Sequence, residues 1–330
     1  MKMLMRRGIL VLIFIFASVG FGQAVRADSN NFSITPILPE NQLAGNLSYF
    51  DLTVTPSQKQ ILQIKVKNNS DEVSQYKVYV NTATTNQNGI IDYSMSEFEK
   101  DESMKFSLKD YIKLNEPEFE VPAESEKIVS LELSVPESGF GGVLLGGVTI
   151  EPVAEETQGI SSIFTRTLAV QLRESSEEVI PKLESGNVLI AQENLRNNVQ
   201  FELRNVTPTV ISSVKANITI TKKESKEVIF EQKRDKLNFA PNSKFYLLSQ
   251  WNAQFKPGEY IYNIDLKDNK GNNWSFHKDF NIESDKANKL NETSVDKNKI
   301  SVKDYLVYVV IVIILLIASG IWIIKKYKRK

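Results

Sequence analysis

Short stretches of alternating apolar and polar residues, separated by turn residues, constrain the fold of this chain more than any other feature. In residues 73–80, Tyr76, Val78 and Val80 share one face, and residues 61–67 and 127–135 alternate in the same way. Successive side chains of a strand point to opposite faces, so the pattern indicates half-buried β-strands. Turn signals about every ten residues predict an antiparallel β-sandwich between residues 31 and 152.

A second series of strand-like segments follows a small, polar stretch at residues 153–162. The segments are 164–172, 182–191, 198–205, 210–221, 227–231, 244–250, 258–267 and 273–282. Residues 257–260 (Pro-Gly-Glu-Tyr) resemble the turn and corner tyrosine of immunoglobulin-like sandwiches. The sequence therefore predicts a linker at 153–162 between one sandwich at 28–152 and another at 163–283.

Two segments depart from alternation. Residues 96–114 are mixed and suggest a short helix with Phe98, Met104, Phe106 and Leu108 as buried contacts. Residues 139–148 are rich in glycine but are followed by neither Lys-Ser/Thr nor a helical pattern, so a phosphate-binding loop is not supported. Close packing of a strand with bulges explains these glycines better.

The two ends of the chain predict export and membrane anchoring. Lys2, Arg6 and Arg7 precede an apolar run and then Val25-Arg26-Ala27, which indicates a signal peptide over residues 1–27, with an uncleaved anchor as the alternative. Residues 305–324 carry no charge and no proline, enough for one C-terminal transmembrane helix, and five basic residues in the tail 325–330 place that end in the cytoplasm. Residues 284–304 are polar and are predicted to form a flexible stalk. The expected location is thus the cell membrane, single-pass, with both domains in the cell wall.

The composition excludes several kinds of chemistry. The chain has no cysteine and one histidine, His277, so thiolate and multi-histidine metal sites are ruled out, and no cofactor is expected. His277 lies in an alternating strand and is predicted to face solvent. Both ends hold basic residues and no acid, so the balanced whole chain leaves a net acidic ectodomain, which disfavours a nucleic-acid partner.

A polar loop closing on Asn-Gly is the candidate binding site. Amide, hydroxyl and phenol groups suit glycan hydrogen bonding, and the six candidate residues are Thr84, Thr85, Asn86, Asn88, Asp92 and Tyr93. The alternative is that these residues only build a structured turn. Carboxylates at Glu116, Glu118 and Glu120 and at Glu155 and Glu156 leave a paired-carboxylate hydrolase open, although acids that alternate along strands are typical of a solvated face.

Several longer motifs resemble those of the WxL-interacting protein family of Gram-positive bacteria. They include residues 32–42 (FSITPILPENQ), 81–86 with 88–93 (NTATTN, NGIIDY), and the Phe-Gly-Gly and Leu-Gly-Gly of 140–147. Residues 170–173, 240–243 and 257–260 match more loosely. The resemblance implies a peptidoglycan-binding domain followed by a host-binding domain. It implies three classes of partner: peptidoglycan, WxL-domain cell-wall proteins and, as a further candidate, host extracellular-matrix proteins.

Residues and resemblance together predict an all-β protein with two tandem immunoglobulin-like sandwiches and one transmembrane helix. Its expected function is that of a non-catalytic, membrane-anchored scaffold or adhesin. Two alternatives stay open: a cell-wall glycan hydrolase using paired carboxylates, and a donor-strand-type surface chaperone that accepts a partner segment at an exposed edge strand.

Overall fold

The structure, a computed structural model, describes residues 31–153 and 163–295, apart from 44 and 46. The predicted signal peptide, most of the linker, the transmembrane helix and the basic tail lie outside the described residues. Within these residues the protein is built mostly of β-strands in several sheets, as predicted.

The first domain contains eleven of the described strands. They are β1 (Phe32–Ile37), β2 (Phe50–Thr53), β3 (Lys59–Asn68), β4 (Ser74–Thr82), β5 (Thr84–Thr85), β6 (Ile91–Asp92), β7 (Ile112–Leu114), β8 (Glu118–Val121), β9 (Glu126–Ser134), β10 (Val143–Pro152) and β11 (Arg166–Arg173). One sheet has the order β1-β3-β9-β7 and the other β2-β11-β10-β4-β8. One hydrophobic core lies between them, with Leu62, Ile64, Val148 and Ile150 fully buried, as the period-two pattern requires.

The second domain contains seven strands and one helix. They are β12 (Leu183–Glu193), β13 (Arg196–Asn205), β14 (Ile211–Lys222), β15 (Val228–Phe239), β16 (Ser243–Gln250), β17 (Gly258–Lys267), β18 (Asn273–Ile282) and α1 (Ser284–Thr293). The sheets have the orders β12-β13-β16 and β15-β14-β17-β18. Phe201 and Tyr262 stack in the core at a ring-centroid distance of 4.6 Å.

Strand β11 differs from its expected position. The sequence pattern places this strand in the second sandwich. In the structure, β11 pairs antiparallel with β10 and parallel with β2, both in the first domain. Alternation shows that a strand is half-buried without showing which sheet receives it. Leu168, Val170 and Leu172 fill the first core, so the first domain extends past the predicted linker.

Two corresponding corners are closed by buried asparagines. Asn68, at the end of β3, donates from Nδ2 to the backbone oxygens of Glu72, Val121 and Pro122. Asn205, at the end of β13, donates to the backbone oxygens of Thr209 and Ala240 at 2.7 and 2.8 Å. Each Oδ1 also accepts the N–H and hydroxyl of the residue two positions on. Both side chains are 0% exposed, so they act as internal ties between loops.

The turn and the tyrosine at the start of β17 lie where the sequence predicts them. Tyr260 follows the start of β17, and its hydroxyl donates to the backbone oxygen of Lys256 at 2.8 Å. The bond ties the strand to the loop before it.

The two irregular segments meet their predictions in part, since Phe98, Met104 and Phe106 are only half-buried and β10 pairs without a bulge. The helix expected in 96–114 is a single 3-10 turn, Leu108–Tyr111, with Leu108 fully buried. Gly146 lies so close to β4 that a Cβ atom there would be 2.4 Å from the Asn81 backbone oxygen. Gly146 and Gly147 therefore permit close packing around β10, which begins at Val143 within this segment.

The beginning of the predicted stalk is folded. Residues 284–293 form α1, and Ala287 is fully buried against the second core while Leu290 packs beside it. Asn291 accepts the Phe255 N–H at 2.8 Å and donates to the Phe255 oxygen. The composition of this segment favours disorder, but these tertiary contacts stabilise a helix. Residues 296–304 lie outside the described part of the chain.

None of the helices in 31–153 and 163–295 has both the length and the apolar character needed to cross a membrane. The predicted span, 305–324, is not among these residues.

Candidate binding surface at the domain junction

The six candidate residues meet in one small hairpin. Strand β5 pairs with β6, which places Thr84 opposite Asp92. Asn86 closes the turn: its Oδ1 accepts the N–H groups of Asn88 and Ile90, and its Nδ2 lies 3.4 Å from Asp92 Oδ2. Gly89 adopts φ of +68°, a left-handed conformation that glycine takes without strain. The Asn-Gly signal therefore predicted this turn correctly.

The tip of the hairpin docks onto the second domain. Its backbone oxygens accept hydrogen bonds from both neighbouring edge strands, from Leu248 N in β16 to Gln87 O at 2.9 Å and from Asn238 N in β15 to Gly89 O at 2.8 Å. Arg234 also donates to the Asn88 oxygen at 2.7 Å. The hairpin thus spans the open side of the second sandwich, where the edges of its two sheets meet.

Several side chains of the candidate site are already engaged. Thr84 and Thr85 are 1% and 3% exposed. The Thr85 hydroxyl accepts the Ala240 N–H and lies 2.7 Å from the Ser243 hydroxyl. Asp92 accepts the backbone N–H and hydroxyl of Ser94 at 2.7 Å each. Burial by itself would raise the pKa of Asp92, but the hydrogen bonds from Ser94 and Asn86 lower it. Asn88 is exposed, and glycan binding by the six residues stays a prediction.

A second segment of the first domain, residues 95–106, forms ion pairs with the second domain. The Arg204 guanidinium binds both oxygens of Asp101, at 2.5 and 3.2 Å, and the Asp101 side chain is 0% exposed. Lys244 lies 2.5 Å from Glu99. Burial alone would raise the pKa of Asp101, but the hydrogen bonds from Arg204 and Ser103 outweigh it and hold the pKa below its usual value.

Apolar contacts complete the junction. Ala83 and Leu145 of the first domain form a small buried cluster with Ala240 of the second, and Tyr93 packs against it. Nearby, Val143 N donates to Pro208 O at 2.7 Å, and a Cβ atom on Gly142 would lie 2.1 Å from that oxygen. Hydrogen bonds, buried charge and apolar packing therefore join the two domains directly.

Two clefts open beside these contacts. One, of about 450 Å³, is lined by the hairpin together with Met95, Phe98, Gln200 and Tyr246. The other, of about 330 Å³, lies between Phe106 and Phe140 on one side and Pro208 on the other. Both have mixed apolar and polar walls and contain residues of both domains.

The remaining candidates for chemistry are surface groups. Glu118 and Glu120 are exposed on β8, and Glu116 pairs with Lys127 at 2.6 Å. Glu155 and Glu156 lie outside the described residues. His277 is exposed on β18, as predicted, 2.8 Å from Asn263 Oδ1. In the described ranges no three His, Asp or Glu side chains group as metal ligands would.

Sequence patterns did not predict the junction. Asp101 and Arg204 are far apart in sequence, and no local periodicity links them. The only local signal is the density of turn-forming side chains in 81–89, which predicts a turn without its docking partner.

Solved structures give weak likenesses. A chain from a chaperone–tip adhesin complex of CFA/I fimbriae biogenesis is 15% identical, with a TM-score of 0.33, covering 75% of this chain and 98% of that one. The class 5 fimbriae chaperone CfaA is 16% identical, with a TM-score of 0.31 and coverages of 75% and 99%. The Pseudomonas aeruginosa chaperone CupB2 is 11% identical, with a TM-score of 0.29 and coverages of 68% and 95%. No curated protein sequence matches the chain significantly.

Two family models match in tandem. Residues 32–152 match the peptidoglycan binding domain of WxL Interacting Protein, and residues 155–292 match its host binding domain. The resemblance carried by the motifs of the first domain is thereby confirmed, and the two matches account for most of the described residues. This chain belongs to the WxL-interacting protein family.

Proposed function

We propose that this protein is a non-catalytic cell-surface scaffold that binds peptidoglycan through its first domain. Its further partners are WxL-domain wall proteins and, through the second domain, host extracellular-matrix proteins. The observation that carries the proposal is the tandem match to two binding-domain families over residues 32–152 and 155–292.

The proposed location is the cell membrane, with a signal peptide at 1–27, a single transmembrane helix at 305–324 and the tail in the cytoplasm. The support is the apolar, uncharged character of 305–324 and the five basic residues that follow. Membrane fractionation and the N-terminal mass of the mature protein test this placement. A mature chain that begins at Asp28 and remains in the membrane fraction after a carbonate wash is expected.

We further propose that both sandwiches are immunoglobulin-like. The Tyr260 hydroxyl bond to the backbone four residues earlier supports this for the second domain. The parallel pairing of β2 with β11 inside an otherwise antiparallel sheet supports it for the first.

The test of peptidoglycan binding uses the full chain in detergent and purified peptidoglycan sacculi. The expected result is saturable co-sedimentation with no soluble muropeptide released over time. A chain that stays in the supernatant would refute peptidoglycan binding. Time-dependent muropeptide release, abolished by one carboxylate substitution, would instead establish the hydrolase.

Partner binding is tested separately by crosslinking on intact cells followed by mass spectrometry. Recovery of proteins that carry a WxL domain is expected. Recovery of a partner β-strand inserted at a sheet edge, mapped by the crosslinked residues, would favour the donor-strand chaperone.

A further inference from the structure

The outer face of β4, β10 and β11 carries a row of polar side chains. Thr149 in the middle strand is aligned with Tyr79 on one side and with Thr167 on the other. The alternate residues Val148 and Ile150 fill the core, so this row lies on the opposite face of the sheet, where Thr149 itself is only 1% exposed. The Thr149 and Thr167 hydroxyls lie 2.8 Å apart, and Thr167 is exposed.

A second tyrosine, Tyr93, lies over Gly147, the next outward position of β10 on the same face. A Cβ atom on Gly147 would be 2.9 Å from both Tyr93 Cβ and Thr167 Cγ2, so the absence of a side chain at Gly147 makes room for Tyr93. The Asn81 side-chain amide donates to the Tyr93 backbone oxygen at 3.0 Å, which fixes the backbone at Tyr93. Tyr93 also packs against the apolar cluster at the domain junction, so the second domain helps to hold it.

The Tyr79 phenol is an oriented hydrogen-bonding group on this face. Tyr79 donates to Glu151 at 3.3 Å. Burial, followed by the Glu151 charge, raises the pKa of Tyr79, and burial together with Tyr49 raises the pKa of Tyr93. Both side chains therefore stay neutral at physiological pH. We name Tyr79, Tyr93, Thr149, Thr167 and Glu151 the tyrosine face.

Charge on this face favours a neutral ligand. Glu151 lies at one end of this face, aligned with Lys77, which is itself paired with Glu118 at 3.5 Å. At the other end Arg173 is paired with Asp51 at 2.9 Å. An anionic polymer would meet Glu151 and cations that already have partners. A hydroxyl-rich saccharide can instead stack its apolar ring faces on the tyrosines and hydrogen-bond to Thr167 and Glu151.

We propose that the tyrosine face binds the glycan strand of peptidoglycan, with Tyr79 and Tyr93 as stacking platforms and Thr167 and Glu151 as hydrogen-bonding groups. The proposal rests on peptidoglycan binding by the first domain and assigns that binding to one surface. Of the six residues predicted from the sequence, it retains Tyr93.

The experiment measures co-sedimentation of the full chain in detergent with sacculi stripped of protein and anionic polymers. The test variant combines Tyr79→Ala with Thr167→Val. The matched control is Thr221→Val, a half-buried threonine on β14 of the second domain. Circular dichroism and thermal melting confirm that each variant is folded. Soluble N-acetylglucosamine oligomers and free stem peptides serve as competitors.

Wild type and Thr221→Val are expected to bind equally, and the double variant at least about tenfold more weakly, which corresponds to about 1.4 kcal/mol. The oligomers should compete and the stem peptides should not. Binding that survives in the folded double variant, or that is lost only in Asn88→Ala, would overturn the tyrosine face while leaving peptidoglycan binding intact. Wild-type protein that fails to bind would refute both proposals.

Discussion

Two buried asparagine side chains connect separate loops in this cysteine-free protein. Asn68 and Asn205 each bond to separate loops with both ends of one amide, and both are inaccessible to solvent. An amide in such a position leaves several buried groups unpaired when it is removed, whereas a surface amide leaves none.

Replacing Asn205 by Ala should therefore lower the free energy of unfolding by about 2–4 kcal/mol, because the Thr209 and Ala240 oxygens both lose the Asn205 amide, although Ser243 still donates to the Ala240 oxygen. Urea denaturation of the ectodomain followed by fluorescence measures the loss. Asn281→Ala, at an exposed position of β18, is the control and should change stability by less than about 0.5 kcal/mol. Equal effects of the two substitutions would contradict the role of Asn205.

The Asp101–Arg204 pair should make the junction sensitive to acid. The pKa of Asp101 is lowered in the folded protein, so its contribution is complete above the unfolded value of about 3.9 and disappears as pH falls through the folded value. Asp101→Asn should cost about 2 kcal/mol at pH 7. The difference from wild type should shrink below about pH 4, where Asp101 of the unfolded chain takes up a proton while that of the folded protein is still charged.

Denaturation curves of both proteins at pH 7, 5 and 3 check this dependence. Glu118→Gln is the control, because its partner Lys77 is 47% exposed and the pair is solvent-screened. If the difference in unfolding free energy between wild type and Asp101→Asn stayed constant down to pH 3, the Asp101 charge would not stabilise the junction.

At the scale of elements, sequence patterns predicted strands well and their partners poorly. Strands β17 and β18 have the predicted bounds, because alternation and turn residues are local signals. The position of β11 in the first sheet depends on β2, more than a hundred residues earlier, which no local pattern encodes. Helix α1 differs from the predicted stalk because its polar composition outweighs the two apolar contacts that Ala287 and Leu290 make.

A side chain at Gly89 should strain the hairpin tip. A Cβ atom there would lie 3.1 Å from Leu237 and 3.2 Å from Leu247, both in the second core, and φ is positive. Gly89→Ala should cost about 1–2 kcal/mol and loosen the junction. Gly141→Ala, where nothing lies within 4 Å, is the matched control.

Hydrogen exchange measured by mass spectrometry reports on the junction directly. The amides of Asn238 and Leu248, which donate to the hairpin, should exchange faster in Gly89→Ala and at the wild-type rate in Gly141→Ala. Unchanged protection in both variants would show that the hairpin is not needed to cover these edges.

At the scale of the whole molecule, the units that fold together differ from the segments that match the two families. The first match ends at residue 152, but the first core needs Leu168, Val170 and Leu172 from β11. Strand β11 also separates β2 from β10, so without it the sheet loses two strand pairings.

A fragment ending at residue 152 is therefore expected to be unfolded or aggregated, because β10 would become an unprotected edge beside an incomplete core. A fragment ending at residue 175 includes β11 and should give a dispersed NMR spectrum and a cooperative melt. Cooperative folding of the shorter fragment would contradict the assignment of β11 to the first domain.

The docked hairpin also has an evolutionary consequence. Recombination that exchanged second domains between relatives would separate residues 85–89 from the edges of β15 and β16 that receive them. Proteins that result from such an exchange would have a poorly matched contact between the hairpin and the second domain. Substitutions at Gln87 and Gly89 should therefore accompany substitutions at Leu237, Phe239 and Leu247 across related sequences, and independent drift at the two places would count against this constraint. Lineages of this family are then expected to diversify as inseparable pairs of domains.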